Sequence, residues 1–190
     1  TIHRSRNIVT SLMFDREKNL WLGGSNALFR VSRDMKQYRV FLHDPNSDRS
    51  ITAGYVGTIV QDRSGTIWIG TAFGLNRFEQ KTESFMRFPL DRKDSLNSNV
   101  NLWPRLHIDS KGTIWIGDQL GLHKFNETTG TFTLFVPTPP SPRAVTFIQE
   151  DKRGMFWYVS SGRFMRFNPS DGSFTCFTGA DGIEDVDILA

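Results

Sequence analysis

The chain of 190 residues holds one cysteine, Cys176. That count excludes an internal disulfide framework and leaves a buried structural thiol as the expected role. No apolar run reaches the roughly 18 residues that a membrane-spanning helix needs. Neither sign of charge is in marked excess, with 23 Lys and Arg against 20 Asp and Glu and a net charge of +3. The basic residues form no clustered stripe of the kind that follows a phosphate backbone, so nucleic acid is not an expected partner. The four histidines, His3, His43, His107 and His123, fall at unrelated spacings. Paired-His metal spacing, a Gly-x-Ser-x-Gly elbow and a phosphate-binding glycine loop are all missing, so no catalytic residue, metal or cofactor is expected. The chain opens on Thr1 without a secretory leader. The expectation is a processed or excised piece, joined to a membrane only through other parts of its parent chain.

Aromatic residues are abundant, at 13% with 16 Phe and 5 Trp, and they recur at fixed intervals. The hexapeptide GTIWIG stands at residues 65 to 70 and again at 112 to 117. With Trp as the anchor, four units appear at Trp21, Trp68, Trp115 and Trp157, separated by 47, 47 and 42 residues. Six residues before each anchor stands Asp15, Asp62, Asp109 or Asp151; three before it stands Lys18, Gly65, Gly112 or Gly154. Leu28, Leu75, Leu122 and Phe164 follow at plus seven, and Val31, Phe78, Phe125 and Phe167 at plus ten. Tyr38, Phe85, Phe132 and Phe174 occupy plus 17, and Phe41, Phe88, Phe135 and Phe177 plus 20.

Each unit reads as four short strands, in the second unit Val56 to Gln61, Thr66 to Thr71, Leu75 to Glu79 and Phe85 to Pro89, parted by Gly, Asp, Asn and Ser turn signals. No segment sustains a helical period. The Asp of each first turn can cap backbone amides, and the Gly after it can take positive φ. In unit one Lys18-Asn19 stands there, with Asn as the expected left-handed residue. An all-β repeat of four antiparallel strands with a Trp in the second is the blade of a β-propeller. The predicted fold is therefore a fragment of four consecutive four-stranded blades over 1–190, at about 8–42, 55–89, 102–136 and 144–178, with a fifth beginning near 186. The basic slot at plus nine, Arg30, Arg77, Lys124 and Arg166, is expected to be a strand-edge charge that discourages edge-to-edge association.

The segments SITAGYVGTIVQDRSGTIWIGTAFGLNRFEQKTESFMRF and SLNSNVNLWPRLHIDSKGTIWIGDQLGLHKFNETTGTFTLF resemble the two-component regulator propeller repeat. Its pattern is an apolar strand, Asp-x-x-Gly, Trp-Ile-Gly-Thr, Gly-Leu and a terminal aromatic strand. Unit one departs from it with WLGGSNALFR and unit four with WYVSSGRFMRF, both at conserved spacing. The resemblance implies a periplasmic sensor module of a bacterial membrane receptor whose output is a histidine kinase, commonly hybrid, or a diguanylate cyclase. It also implies an oligosaccharide ligand, the rest of a larger propeller as partner, and a receptor homodimer. Streptogramin lyases, which use His and Glu on a similar propeller, are the enzymatic alternative, and a protein-interaction platform is a third.

In such a propeller the first strand of each unit lines the channel. The loops between units, His43 to Gly54, Leu90 to Val100 and Val136 to Arg143, share one face with the turns between second and third strands. Ligand-binding candidates on that face are Tyr55, Phe73, Asn101, Trp103, Arg105, Gln119, Arg143 and Arg163. Trp103 stands where the other units carry Val9, Val56 and Val145, and strand alternation puts it on one side with Arg105 and His107. An aromatic face and a forked donor suit a sugar ring and its hydroxyls or carboxylate. The competing expectation is that Trp103 fills a gap between blades while Arg105 pairs with a nearby carboxylate.

Overall fold

The computed structural model describes residues 8–90, 104–138, 144–145, 147–160 and 162–182. Asn101, Trp103, Arg143 and the strand expected near 186 lie outside them. The chain divides into two compact units, residues 1–104 and 105–190.

The first unit contains two sheets. β1 (Val9–Phe14), β2 (Leu20–Gly24), β3 (Ala27–Val31) and β4 (Tyr38–Leu42) form one, and β5 (Val56–Gln61), β6 (Ile67–Thr71), β7 (Gly74–Glu79) and β8 (Ser84–Pro89) the other. The second unit holds β9 (Arg105–Ile108), β10 (Ile114–Gly117), β11 (Leu122–Asn126) and β12 (Thr131–Phe135), then β13 (Gln149–Glu150), β14 (Phe156–Ser160), β15 (Arg163–Asn168) and β16 (Ser173–Phe177). Every sheet is antiparallel and in chain order. The only helical element among the described residues is a single 3-10 turn, Gly179–Asp181.

The turn joining the first two strands of each sheet is built alike. The amides of Gly65, Gly112 and Gly154 donate to the carbonyls of Asp62, Asp109 and Asp151 at 3.1, 2.9 and 2.9 Å, and these glycines have φ of +94, +87 and +78°, a type I turn closed by a left-handed residue. In the first sheet Lys18, not Asn19, takes the left-handed position, with φ 66°. Asn19 is recruited instead as a donor, its Nδ2 reaching Asp15 Oδ2 at 3.0 Å. The Asp does more than cap the turn. Its Oδ2 accepts the indole Nε1–H of the anchor Trp in all four sheets, at 2.8 Å from Trp21, 2.9 Å from Trp68, 3.0 Å from Trp115 and 2.8 Å from Trp157. A donor that would be costly to bury bare is thereby satisfied within its own hairpin.

The basic slot at plus nine is not at an edge. It lies on the third strand of each sheet, interior to the order, and pairs directly across from the anchor: Trp21 with Arg30, Trp68 with Arg77, Trp115 with Lys124 and Trp157 with Arg166. Each cation sits 5.7–5.9 Å from its ring centroid. The charge therefore covers the indole, a cation–π contact worth roughly 0.5–1 kcal/mol where exposed, and the edge-protection reading is overturned by the strand order.

Within each unit the anchor of one sheet packs on the face of the next. Trp21 meets Phe78 edge-on at 5.0 Å, and Phe41 meets Phe85 at 5.3 Å, around Val56, Ile59 and Ile69. Trp115 meets Phe156 and Phe167 at 5.1 and 5.5 Å, around Val145, Tyr158 and Met165. At about 25 cal/mol per Å², burying one such indole is worth at most about 4–6 kcal/mol. Trp21, Trp68 and Trp115 are buried, whereas Trp157 is only half-buried. Cys176 is likewise half-buried against the second unit's core rather than enclosed in it.

Candidate functional site

The described candidate residues, Tyr55, Phe73, Arg105, Gln119 and Arg163, belong to the sheet ends that bear the loops before each first strand and the turns between second and third strands. In the first unit this end is built on a buried polar cluster. Asn76 and Thr71 are fully buried. The Thr52 amide donates to Asn76 Oδ1 at 2.9 Å, Asn76 Nδ2 donates to Thr52 Oγ1 at 2.8 Å, and the hydroxyls of Thr52 and Thr71 share a bond of 2.6 Å. The loop before β5 is thus fastened to β6 and β7. Arg87 fastens its earlier part by donating to the carbonyls of Ser50 and Ser47.

Gly54 completes the junction. Its φ of +87° suits glycine, and a Cβ there would stand 2.8 Å from Ala72 Cβ and 3.2 Å from the Phe73 ring. The Ala72 amide can therefore reach the Tyr55 carbonyl at 3.0 Å. The outcome is two adjacent aromatic side chains held outward, Phe73 at 56% exposure and Tyr55 at 36%. An exposed phenyl on a turn whose backbone is held this firmly is a pre-organised apolar platform.

In the second unit Asp118 and His123 take the place of Thr71 and Asn76, three and eight residues after the anchor. Both are buried, with His123 Nε2 3.1 Å from Asp118 Oδ2, an ion-pair distance lying off the hydrogen-bond direction. Asp118 Oδ1 accepts from the Leu120 amide at 2.7 Å, fixing the turn that carries exposed Gln119. Arg163 is exposed at the start of β15. Sequence reasoning missed the Thr71–Asn76 and Asp118–His123 pairs. The available signal was that these two slots, Gly24 and Phe29 in the first unit, turn polar in the second and third.

Arg105 and His107 do lie on β9 as alternation requires. His107 packs edge-on against Phe156 at 5.1 Å, with its Nε2 3.7 Å from Glu150 Oε2. Burial pushes its imidazole below the ordinary histidine range, against the opposing pull of Glu150 and Asp109. Glu150 accepts the Ser110 amide and hydroxyl at 2.7 and 2.6 Å, and among the described residues Arg105 has no ion pair. The slot of Trp103, where described in the interior of a unit, is a packing slot: Val56 lies against Gly23 and Val145 against Gly117, each too close to admit a Cβ on the glycine.

Grooves at the other end of the sheets, beside Trp21 and Arg30 and beside Trp157 and Arg166, are each built around the recurring Asp, Trp and basic slots, while the rest of their lining varies from unit to unit. No group of three His, Cys, Asp or Glu side chains among the described residues is placed to hold a metal ion. No helix among them is long and apolar enough to cross a membrane.

Residues 50–73 match the family model described as two component regulator propeller. The chain carries a two component regulator propeller repeat. That match begins in the loop before β5 and ends on Phe73, so it spans the hairpin whose Asp62–Trp68 bond and outward phenyl are described above. No curated protein matches the chain. Among solved structures, the extracellular domain of BT3049 from B. thetaiotaomicron, assigned to a hybrid two component system, aligns with TM-score 0.63 at 16% identity over 90% of this chain and 30% of that one. A catalytically inactive His→Ala variant of virginiamycin B lyase from Staphylococcus aureus, with quinupristin, aligns with TM-score 0.68 at 19% identity over 93% and 57%. The Neurospora crassa Pan2 WD40 domain aligns with TM-score 0.64 at 13% identity over 90% and 50%. At these identities the likeness is one of fold, and the propeller repeat chain spans well under two thirds of each of these structures.

Proposed function

We propose that this chain is a ligand-sensing part of the extracytoplasmic, periplasmic region of a hybrid two component receptor, without catalysis of its own, and that it recognises an oligosaccharide. The observation that carries the reading is the outward pair Phe73 and Tyr55, set on a buried Thr52–Thr71–Asn76 cluster within the segment that matches the family. A rigid phenyl on a wet, polar loop face suits the apolar face of a sugar ring, and it needs no acid, base or nucleophile beside it. Further blades and a second receptor copy are the proposed macromolecular partners.

The fold likeness to virginiamycin B lyase supplies a second reading, hydrolysis-free cleavage of a quinupristin-like cyclic peptide. Against it, the described histidines are either bonded or enclosed: His43 Nδ1 lies 2.9 Å from the Ile51 carbonyl, and His107 and His123 are packed edge-on against Phe156 and Phe132 with their Nε2 atoms buried. The deciding experiment incubates the intact chain with neutral oligosaccharides in a calorimeter and, separately, with quinupristin followed by mass spectrometry. Saccharide binding that Phe73→Ala weakens about tenfold, the equivalent of roughly 1.4 kcal/mol, supports the sensor. Consumption of quinupristin without saccharide binding replaces it with the lyase.

A further inference from the structure

One slot on the innermost strand breaks the rule set by the other blades. Ten residues before the anchors stand Ser11, Thr58, Arg105 and Phe147. In the first unit the slot is a small hydroxyl that donates to a backbone carbonyl, Ser11 to Val56 at 3.1 Å and Thr58 to Pro104 at 3.0 Å. In the second unit it is a guanidinium in one sheet and a phenyl in the next. Arg105 Cζ lies 5.1 Å from the centre of the Phe147 ring.

This contact is held by built features. Gly117 pairs with Arg105 across β9 and β10. Because it lacks a Cβ, Val145 and Ile148 can settle on it; a Cβ would stand 2.5 Å from Val145 Cγ1 and 3.1 Å from Ile148 Cδ1. The Val145 amide then bonds to the Asp118 carbonyl at 2.8 Å. With Val145 and Ile148 packed on Gly117, Phe147 is left 67% exposed beside Arg105. Arg105 Nε is buried with no hydrogen-bond partner. Such a donor costs stability while it stays bare, as do His107 Nε2, His123 Nε2, Tyr158 Oη and Ser160 Oγ in the same unit; Arg105 differs from them in standing beside an exposed aromatic ring.

We propose that Arg105 and Phe147 form an oxyanion-reading subsite for an acidic saccharide. Its carboxylate or sulfate accepts from the two terminal N–H groups of the Arg105 guanidinium, which are not among the buried unpartnered atoms, and the apolar face of its ring rests on Phe147. The fork geometry of arginine fits two oxygens of either group. Phe147 contributes area without a competing acceptor. The inference rests on the sensor reading for the saccharide, and on Arg105 alone for the charge.

The test is calorimetric titration of the intact chain with a galacturonate tetramer, a sulfated disaccharide and a neutral tetramer, using wild type, Arg105→Gln, Arg105→Lys and Phe147→Ala. The expected result is acidic ligand bound at least tenfold more tightly than neutral. Arg105→Gln should remove that preference, bringing acidic affinity down to that of the neutral tetramer, and Arg105→Lys should recover only part of it. Phe147→Ala, at an exposed position, should weaken both classes several-fold without altering the melting temperature. Preference for galacturonate identifies a carboxylate site and preference for the disaccharide a sulfate site. Equal binding of acidic and neutral tetramers, unmoved by Arg105→Gln, overturns the subsite and leaves the sensor reading standing. If no saccharide binds, the sensor reading fails, and the subsite then survives only on a thermal shift by galacturonate monomer or inorganic sulfate that Arg105→Gln abolishes; without that shift it too is overturned.

Discussion

Replacing Asp109 by Ala tests whether the repeat is held together by its Asp–Trp bond. Asp109 accepts the Trp115 indole N–H at 3.0 Å and the amides of Thr113 and Lys111 at 2.8 and 3.0 Å. The indole is 1% exposed and the Asp 8%, so water cannot substitute at the indole once the carboxylate is gone. A hydrogen bond to a charged acceptor contributes about 1.5–3 kcal/mol and each amide bond about 0.5–1.5 kcal/mol. Allowing for partial solvation of the turn amides, Asp109→Ala should cost about 3 kcal/mol. For a chain of this size that is a fall in melting temperature of roughly 6–12 °C. Trp115→Phe removes the donor but also leaves a gap beside Phe156 and Phe167, so its own cost is not diagnostic. The coupling is: in a double-mutant cycle followed by urea unfolding, the two changes should be non-additive by about 1–2 kcal/mol. Additivity within about 0.3 kcal/mol, or a loss under about 1 kcal/mol for Asp109→Ala, would show that the carboxylate is a turn cap and no more.

Two further outcomes follow from the second unit. The folded pKa of His107 lies below its unfolded value because burial outweighs the attraction of Glu150 and Asp109; its contribution is therefore complete above about pH 6.5 and is lost as pH falls through the folded value. Melting curves between pH 7.5 and 5 should show a decline that His107→Leu reduces; an identical decline in the variant places its source elsewhere. Gly117→Ala should cost about 1–3 kcal/mol through collision with Val145, whereas Gly112→Ala, with open space but φ of +87°, should cost about 1–2 kcal/mol of backbone strain. Of the two, Gly117→Ala alone should also weaken acidic-saccharide binding, because it moves the loop that carries Phe147.

The blade was legible because its information is periodic. In the second sheet the expected strands differ from β5 to β8 by at most one residue at an end, since alternation and turn residues act within a few positions of each other. What the pattern concealed depends on register. Arg30 and Trp21 are nine residues apart, and only the pairing of β2 with β3 turns that spacing into a cation over a ring. The same holds for the Asp slot: a carboxylate six residues before a Trp reads as a turn cap until the hairpin folds the indole back over it. Lys18 took the left-handed place because the turn has the same length in every sheet: its amide bonds to the Asp15 carbonyl as those of Gly65, Gly112 and Gly154 do to theirs, which leaves Asn19 in the next slot to donate to Asp15.

The candidate site was less legible for a related reason. A repeat announces what each blade needs in common, so its constant slots, Asp, Trp, Leu and Phe, describe packing. Function has to be sought in slots that vary, and variation alone does not separate a ligand reader from an idle position. The structure separates them by cost. Thr71 with Asn76 and Asp118 with His123 are buried polar pairs where the first sheet has Gly24 and Phe29; both lie at the loop-bearing end of their sheets, and one anchors the loop before Tyr55 while the other fixes the turn that carries Gln119. A buried polar group weakens a core unless it positions something, and what these position is exposed. Arg105 carries the same argument one step further, because its Nε is buried and unsatisfied in a slot that a serine or threonine fills without cost in the other unit. An expense borne at one blade and avoided at its equivalents is what the proposed recognition role of Arg105 accounts for and a folding role does not.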